Sequence, residues 1–572
     1  MKYTIKKSFI ELVVSFWVAT IFAADTNLPA IIPLPQQLEL RAGVFQLTPG
    51  TEIFANFTSR QTARKLAAQL RQSTGYPLKV AVKLGVNRAV PNAILLTTRG
   101  ANTNLGAEGY ALTVTTNTVV VRAPTQAGLF YGAQTLLQLL PPEIFSTNPV
   151  THADWQMPCV QIEDRPRFKW RGLMLDVSRH FYNKGEVEQI LNLMARYKLN
   201  TFHWHLVDDD GWRIEIKKYP RLTEVGAWRK SIGWGLDPKS SRAYNSNGQY
   251  GGYYTQNDIR EVVAYAAARH IAIVPEIEMP GHSGAALVAY PQFSCFGGPY
   301  STDRTLDIRG NYILASGIYN PASEGTFQFL DGVLAEVFKL FPGKYVHIGG
   351  DEVRKDYWRN SPECQALMKR EGLKNEEELQ SWFVRRIEKF VNAHGKTLIG
   401  WSEILQGGLA TNAVVMDWIG GGKEAASAGH EVVMSPTSYC YFNYYQTTKR
   451  STEPHAQGGF ISLCKVYSFE PIPTNLPTQF QSHILGAQGN LWTEWIASLP
   501  HAEYMLFPRL CALSEVTWSD KSARNWDDFL RRLKVSEQRL DELGVNYRRG
   551  TSEPMDWQAP APPSHAARVT TD

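Results

Sequence analysis

The 572-residue sequence lacks paired cysteines, a large net charge and, beyond its first 24 residues, long apolar runs. Its six cysteines are scattered and form no Cys-x-x-Cys pair, which excludes a zinc knuckle and a thioredoxin-type site. The spacing leaves both one or two disulfides and isolated buried thiols open. Lys and Arg number 59 against 54 Asp and Glu, and this small excess disfavours nucleic acid as the main partner. Beyond the first 24 residues, no apolar run is long enough to span a membrane.

The first 24 residues predict an export signal. Lys2, Lys6 and Lys7 supply a basic start, residues 8–22 are mostly apolar, and Ala23-Ala24 offers a small-residue cleavage region. An uncleaved membrane anchor is the alternative, but the apolar run is short for one. We therefore expect an exported protein, in the periplasm or the medium, with no other membrane association.

The remaining chain divides into three regions. Residues 28–163 alternate short strands and helices, including a hairpin over 110–121 and a helix over 127–140 that Pro141-Pro142 stops. Residues 165–545 contain eight apolar strand-like runs separated by helical segments, at 172–176, 201–206, 271–276, 345–349, 397–400, 414–418, 432–434 and 484–488. These patterns predict an α/β protein, with a small α/β domain before a (β/α)8 barrel. A doubly wound sheet is the alternative, but its glycine-rich phosphate fingerprint is absent. The Pro- and Ala-rich residues 551–572 predict a disordered tail.

The ends of the eight runs are rich in acids, histidine, tryptophan and tyrosine. The fourth run ends in two glycines followed by Asp351 and Glu352, two acids that suit proton transfer and charge stabilisation. An isolated pair of this kind would be interpreted as part of a solvated loop, or Asp351 as the N-cap of the next helix. In a barrel, however, the carboxyl ends of the strands carry the active site, and eight polar and aromatic ends together indicate a site for a polyhydroxylated ligand.

A metal hydrolase is a competing interpretation. His203-x-His205 resembles the His-x-His pair of metal amidohydrolases, since alternate residues share one face of a strand. That chemistry needs further histidines on later strands, where Trp401 and Trp418 stand instead. We therefore expect no metal, and we interpret His205, together with His282 and Asp208, as hydrogen-bonded supports for neighbouring acids.

The motifs together resemble glycoside hydrolase family 20, the β-N-acetylhexosaminidases, over about residues 28–545. The motifs that carry the resemblance are Leu175-Asp176-Val-Ser-Arg179-His180, Phe202-His203-Trp204-His205-Leu-Val-Asp208-Asp209, Pro275-Glu276-Ile-Glu278-Met-Pro280-Gly281-His282, His347-Ile-Gly-Gly-Asp351-Glu352, Trp401-Ser-Glu403 and Trp492-Thr-Glu494. The resemblance implies an exo-acting enzyme that releases terminal GlcNAc or GalNAc. The adjacent acids are poorly placed to flank a sugar as acid and nucleophile, and the resemblance instead implies attack by the 2-acetamido group of the substrate.

The resemblance also assigns the reacting groups. Glu352 is the general acid and must be protonated at working pH, which we expect burial and nearby carboxylates to achieve. Asp351 holds the acetamido N–H and stabilises the oxazolinium-like intermediate. Tyr441 donates to the acetamido oxygen, with Tyr444 and Tyr445 as competitors for that role.

Further residues are implied to bind the sugar. Trp401, Trp418 and Trp492 wall the pocket, and Arg179 and Glu494 grip the outer hydroxyls. Asn443 departs from the family pattern, which usually has Asp two residues after the acetamide-binding tyrosine. Asn keeps an acceptor oxygen but loses the charge, so the choice between gluco and galacto sugars stays open.

Two alternatives to the hexosaminidase remain. One is another family 20 activity, such as a lacto-N-biosidase that removes a disaccharide, and the other is a non-catalytic sugar-binding protein. The resemblance implies no cofactor, a glycan or chito-oligosaccharide as partner, and a monomer or homodimer.

Overall fold

The computed structural model describes residues 28–82, 90–230, 247–297 and 317–550, with the backbone of two paired strands, Thr305–Leu306 and Tyr312–Ile313. The predicted export signal and the predicted tail over 551–572 lie outside the described residues. Within the described ranges, none of the helices combines the length and the apolar character needed to cross a membrane.

The N-terminal region is a seven-stranded mixed sheet with helices packed on it. Its strands are β1 (Gln37–Gln46), β2 (Glu52–Ala55), β3 (Lys79–Val82), β4 (Ala93–Thr97), β5 (Tyr110–Val114), β6 (Thr118–Arg122) and β7 (Gln156–Asp164), in the order β1-β7-β5-β6-β4-β2-β3. The predicted hairpin is the antiparallel pair β5 and β6. Helices α1 (Arg60–Thr74) and α2 (Gln126–Leu139) belong to this region. The Thr125 side chain caps α2 by accepting from the backbone N–H groups of Ala127 and Gly128.

The second region is a closed barrel of eight parallel strands, which confirms the predicted fold class. The strands are β8 (Trp170–Asp176), β9 (Thr201–His205), β10 (Ala272–Glu276), β11 (Tyr345–His347), β12 (Thr397–Trp401), β13 (Val414–Asp417), β14 (Val432–Met434) and β15 (Ile484–Leu491). They follow one another in chain order around the barrel, and β15 closes it against β8. Each strand overlaps one of the eight predicted runs, because strands buried on both faces are nearly continuous apolar runs.

Helices and short turns surround this barrel. The helices are α3 (Lys184–Arg196), α4 (Arg221–Glu224), α5 (Gln256–Ala267), α6 (Gly284–Ala289), α7 (Glu324–Leu340), α8 (Lys355–Arg359), α9 (Pro362–Glu371), α10 (Glu376–Ala393), α11 (Gly422–Ser427), α12 (Thr437–Cys440), α13 (Leu463–Tyr467), α14 (Leu499–Leu506), α15 (Arg509–Trp518) and α16 (Trp526–Glu542). The six cysteines are unlinked thiols, with the Cys295 and Cys364 sulfur atoms 3.9 Å apart.

The sheet and the barrel meet through buried ion pairs. Lys198, in the turn between α3 and β9, places its Nζ 2.9 Å from Oδ2 of Asp164, and both side chains are fully buried. Tyr110 on β5 donates its hydroxyl to the same Asp164 oxygen at 2.6 Å. On β8, the buried Arg171 guanidinium binds both carboxylate oxygens of Glu108, at 2.7 and 3.0 Å. The two regions therefore share charged groups that neither could bury alone.

Candidate active site

The loop after β11 places the two adjacent acids at the carboxyl end of the barrel. Gly349 has φ +70°, and a Cβ atom built on it would lie 1.6 Å from Oε2 of Glu278. Only glycine fits there, because any side chain would collide with that carboxylate. Glu352 itself adopts a positive φ of +47°, which is uncommon outside glycine. The turn directs Asp351 inward, where it is 8% exposed, while the side chain of Glu352 is 60% exposed.

His282 lies between the two acids and a second acidic pair. Its Nε2 is 3.5 Å from Oε2 of Glu352 and 3.6 Å from Oδ2 of Asp351. Its Nδ1 is 3.2 Å from Oδ2 of Asp209 and 3.4 Å from Oδ1 of Asp208. One imidazole ring therefore faces four carboxylates, an arrangement that favours its protonated form.

The pKa directions place the proton differently from the sequence-based expectation. Although burial lowers it, the carboxylates of Asp208 and Asp351 raise the pKa of His282 well above its usual range. Burial raises the pKa of Asp351 well above the usual range, and His282 offsets this only in part. The hydrogen bond from His282 outweighs the burial that was expected to raise the pKa of Glu352. A hydrogen bond from His282 lowers the pKa of this largely exposed carboxyl below its ordinary value.

Arg179 organises the acids on the other side of this cluster. Its Nη1 lies 3.1 Å from Oδ2 of Asp176, and its Nη2 lies 2.7 Å from Oδ2 of Asp208. Its Nη1 is 3.9 Å from Oε1 of Glu494, and its guanidinium carbon is 5.1 Å from the centre of the Trp492 ring. The structure thus brings Arg179 and Glu494 together beside an aromatic ring.

Glu276, at the end of β10, is the centre of a buried hydrogen-bonding network. Four ring nitrogens lie around its carboxylate: Nε2 of His203 at 2.9 Å, Nδ1 of His347 at 2.8 Å, Nε1 of Trp401 at 2.8 Å, and Nδ1 of His205 in a close contact. Burial raises the pKa of Glu276, but the histidines outweigh it and hold that pKa well below the usual range. Because Nε2 of His205 also lies 3.0 Å from Asp208, the network continues to the acids around His282.

Among the residues that the structure describes, three groups of buried side chains have ligand atoms close enough together to hold a cation. They are His203–Glu276–His347, His205–Asp208–Glu278 and Asp208–Asp209–His282. Two of the carboxylates in these groups already have strong partners, since Trp401 donates to Glu276 and Arg179 pairs with Asp208. These side chains therefore suit a network of hydrogen bonds and ion pairs, and the expectation of a metal-free site stays a prediction.

Four aromatic rings form a continuous surface beside the acids. Trp418 and Tyr441 stack with ring centres 6.1 Å apart and planes 15° apart. Trp492 lies 6.4 Å from Tyr441 and 5.8 Å from Trp401. The competitor Tyr444 lies 5.8 Å from Tyr441, with the two ring planes tilted by 47°. Burial raises the pKa of the Tyr441 hydroxyl well above its usual range, so it stays a hydrogen-bond donor.

Several buried polar atoms near the acids have no hydrogen-bond partner among the residues that the structure describes. They are Oδ1 of Asp351, both carboxylate oxygens of Glu278 and Oδ1 of Asn443. Asn443 uses its amide nitrogen to bind Oε1 of Gln457, which leaves its oxygen as an acceptor. Such atoms are costly to bury unpaired, and a polar ligand is one way to satisfy them.

Three acids of the site were not assigned a role from the sequence. Glu276 and Glu278 alternate on one strand end, which signals a shared face, but the sequence does not show the donors around Glu276. Burial raises the pKa of Glu278 well above its usual range, with Asp351 adding to the effect. Glu403 accepts the indole N–H of Trp418 at 2.8 Å, a contact that the Trp401-Ser402-Glu403 motif alone does not reveal.

Comparison with known proteins identifies the family. The model of the glycosyl hydrolase family 20 catalytic domain matches residues 168–521, and that of family 20 domain 2 matches residues 28–165. A β-hexosaminidase of Porphyromonas gingivalis is 42% identical over 530 residues, covering 90% of this chain and 64% of the relative. The exo-β-N-acetylglucosaminidase of Vibrio harveyi, solved with N-acetylglucosamine, is 35% identical at a TM-score of 0.76, covering 91% of this chain and 78% of the other. The N-acetyl-β-hexosaminidase of Streptomyces plicatus, solved with Thio-NAglucal, is 32% identical at a TM-score of 0.77, covering 92% and 97%. The family predicted from the motifs is confirmed, and the chain belongs to glycosyl hydrolase family 20.

Proposed function

We propose that this glycoside hydrolase is an exo-acting β-N-acetylhexosaminidase, which removes terminal GlcNAc or GalNAc with retention through an oxazolinium intermediate. The observation that carries the proposal is the placement of Asp351 and Glu352, both within 3.6 Å of the same nitrogen of His282. The names of the relatives, β-hexosaminidase and exo-β-N-acetylglucosaminidase, support the substrate class.

The placement of these acids favours a nucleophile on the substrate. A retaining enzyme with its own nucleophile has carboxylates on opposite sides of the glycosidic bond. Asp351 and Glu352 instead leave one loop together and share one histidine. A sugar lying against the aromatic surface then has both acids on one side, and the 2-acetamido oxygen attacks the anomeric carbon.

Glu352 and His282 together hold the proton that the leaving group needs. The histidine carries it at rest, because its pKa is raised while that of Glu352 is lowered. Closure of the sugar over Glu352 removes water from its exposed side chain, which raises the carboxyl pKa and moves the proton onto Glu352. Glu352 then protonates the leaving oxygen, and it later accepts a proton from the attacking water.

Asp351 stabilises the charge that develops on the substrate. Its buried carboxyl has a raised pKa, and the positive charge of the oxazolinium lowers that pKa as the charge forms. The carboxylate is thus most effective in the transition state, where it holds the acetamido N–H. Tyr441 donates its hydroxyl to the acetamido oxygen and aligns it for attack.

The remaining residues fix the terminal sugar. Trp401, Trp418 and Trp492 enclose the acetamido methyl group and the apolar face of the ring. Arg179 and Glu494 bind its outer hydroxyls, as an exo-acting enzyme requires. Asn443 contributes an uncharged acceptor oxygen to the binding of these hydroxyls. We also propose that residues 1–24 direct export, which places the enzyme where it meets extracellular glycans.

The test compares substrates and variants. Wild type should cleave aryl β-GlcNAc or β-GalNAc and leave aryl β-glucoside nearly intact, because the glucoside lacks the acetamido nucleophile. Glu352→Gln should lower turnover of chitobiose by about 10²–10⁴-fold, the usual weight of a general acid. Asp351→Asn should lower turnover of every acetamido substrate.

Asp356→Asn is the matched control, since Asp356 follows in the same segment, is half exposed and pairs with Arg354. It should retain wild-type rates. Comparable cleavage of glucoside and GlcNAc substrates would refute the acetamide-assisted mechanism. Release of an intact disaccharide from a lacto-N-biose substrate would replace the exo-monosaccharide assignment with a biosidase.

A further inference from the structure

A cleft lies between the N-terminal region and the barrel, far from the acids of the active site. It is bounded by α1 and α2 on one side and by the carboxyl-terminal ends of α3 and α5 on the other. Its volume is about 290 Å³. Helices that follow barrel strands run back toward the amino ends of those strands, so this cleft lies at the end of the barrel opposite the active site.

Three cations from three elements line this cleft: Lys65 on α1, Arg196 at the end of α3 and Arg269 after α5. The Lys65 ammonium donates to the carbonyl of Ala268, and Arg269 donates its Nε to Oδ1 of Asn192 at 2.7 Å. Among the described residues, Arg196 has no hydrogen-bond acceptor, and its guanidinium carbon lies 4.8 Å from the centre of the Phe145 ring. None of the three cations has a carboxylate within 4.0 Å in that part of the chain.

The protein supplies too little negative charge for these side chains. A helix carboxyl terminus carries about half an elementary negative charge, so the ends of α3 and α5 leave roughly two positive charges uncompensated. Burial lowers the pKa of Arg196 to about 10, and the neighbouring Arg269 contributes to the decrease. Burial and Arg269 also lower the pKa of Lys65, while Glu188 attracts Arg269 only at longer range. The three cations therefore repel one another in a partly desolvated place.

We propose that this cleft binds an oxoanion, a phosphate or sulfate group that is free or esterified to a small sugar. Arg196, Arg269 and Lys65 line the cleft and supply the positive charge, and a guanidinium offers a planar set of donors that suits oxoanion oxygens. The anion removes the mutual repulsion and links α1 of one region to α3 and α5 of the other.

The size and walls of the cleft limit what the anion is attached to. A volume near 290 Å³ is at the small end of ligand sites, which suits an inorganic anion or a monosaccharide ester better than a polymer chain. Leu66, Phe130, Ala133 and Leu137 form an apolar wall beside the cations. A sugar ring can lie on this wall while its phosphate faces Arg196, with Gln134 within the lining as a hydroxyl partner.

Calorimetric titration of the full chain tests the proposal. The ligands are inorganic phosphate, sulfate and glucose 6-phosphate, with chloride at matched ionic strength and glucose as the uncharged control. Phosphate or sulfate should bind saturably at one site and raise the unfolding temperature, since a ligand of the folded state stabilises it. Tighter binding of glucose 6-phosphate than of inorganic phosphate would show that the apolar wall contacts the sugar ring. Binding of neither anion beyond the chloride control would overturn the proposal.

Variants locate the binding. Arg196→Gln and Arg269→Gln should each weaken phosphate binding by about tenfold or more, as expected for the loss of a charge-assisted contact. Arg64→Gln removes the same charge from an exposed position of α1 and should leave binding unchanged. Equal weakening in all three variants would overturn the proposal in favour of a diffuse charge effect. If Arg196→Gln fails to fold, Arg269→Gln decides alone. Both variants should hydrolyse aryl β-GlcNAc at wild-type rates, which separates this cleft from the proposed active site.

Discussion

Replacement of His282 by Gln should move the alkaline limb of the pH profile toward acid. In the wild type, His282 and Glu352 share one proton, and the pKa of the histidine lies well above its usual range. The pair therefore loses this proton only at a pH above the ordinary histidine value, and kcat/KM should fall only there. In His282→Gln the carboxyl of Glu352 must hold the proton alone. Removal of the cation raises the pKa of this carboxyl, yet the proton is now lost at a lower pH than from the pair.

The size of the displacement follows from ordinary pKa values. Histidine titrates near 6.5 and glutamate near 4.3, so the limb should move down by about two pH units. At neutral pH this costs up to roughly 100-fold in the protonated, active fraction, in addition to any loss at the optimum. Normalising each profile to its own maximum separates the displacement from that second loss.

The assay is kcat/KM for chitobiose across the pH range, because its alcohol leaving group depends on the proton more than an aryl leaving group does. His394→Gln, at an exposed position after α10, is the control and should keep the wild-type profile. An alkaline limb in His282→Gln that stays in place would refute the shared proton. A limb that moves toward alkaline pH would do so as well.

Three further outcomes are expected. Gly349→Ala should abolish turnover in the same assay while the chain still folds, because its Cβ would meet the Glu278 carboxylate at 1.6 Å and displace the loop of the acids; wild-type turnover would contradict the close approach. Trp401→Phe keeps a ring but removes the N–H donor to buried Glu276, so urea unfolding should detect a loss of about 1–3 kcal/mol; an unchanged unfolding free energy would mean that the three nearby histidine rings suffice to hold the carboxylate. Prolonged dialysis against a chelator should leave the rate unchanged, and a loss restored by a divalent cation would place a metal in one of the three histidine and acid groups.

Regular features were predictable from the sequence, and features that depend on exposure or on distant partners were not. The eight strands were predictable because a buried parallel strand is a compact apolar run, and the hairpin over 110–121 because its side chains alternate. The pKa of Glu352 was predicted in the wrong direction, since the sequence does not show that His282 lies beside this carboxyl and that its hydrogen bond outweighs burial. The cluster of Lys65, Arg196 and Arg269 could not be predicted, because these residues lie far apart in the chain and meet only after both regions fold.

The buried contact between Lys198 and Asp164 makes the barrel dependent on the sheet. In the complete chain, Asp164 is the carboxylate that pairs with Lys198 at its fully buried position. Loss of one partner from a buried ion pair typically costs 3–5 kcal/mol, a large part of the stability of an ordinary domain. The sheet therefore contributes to the stability of the barrel by supplying the partner of one buried lysine.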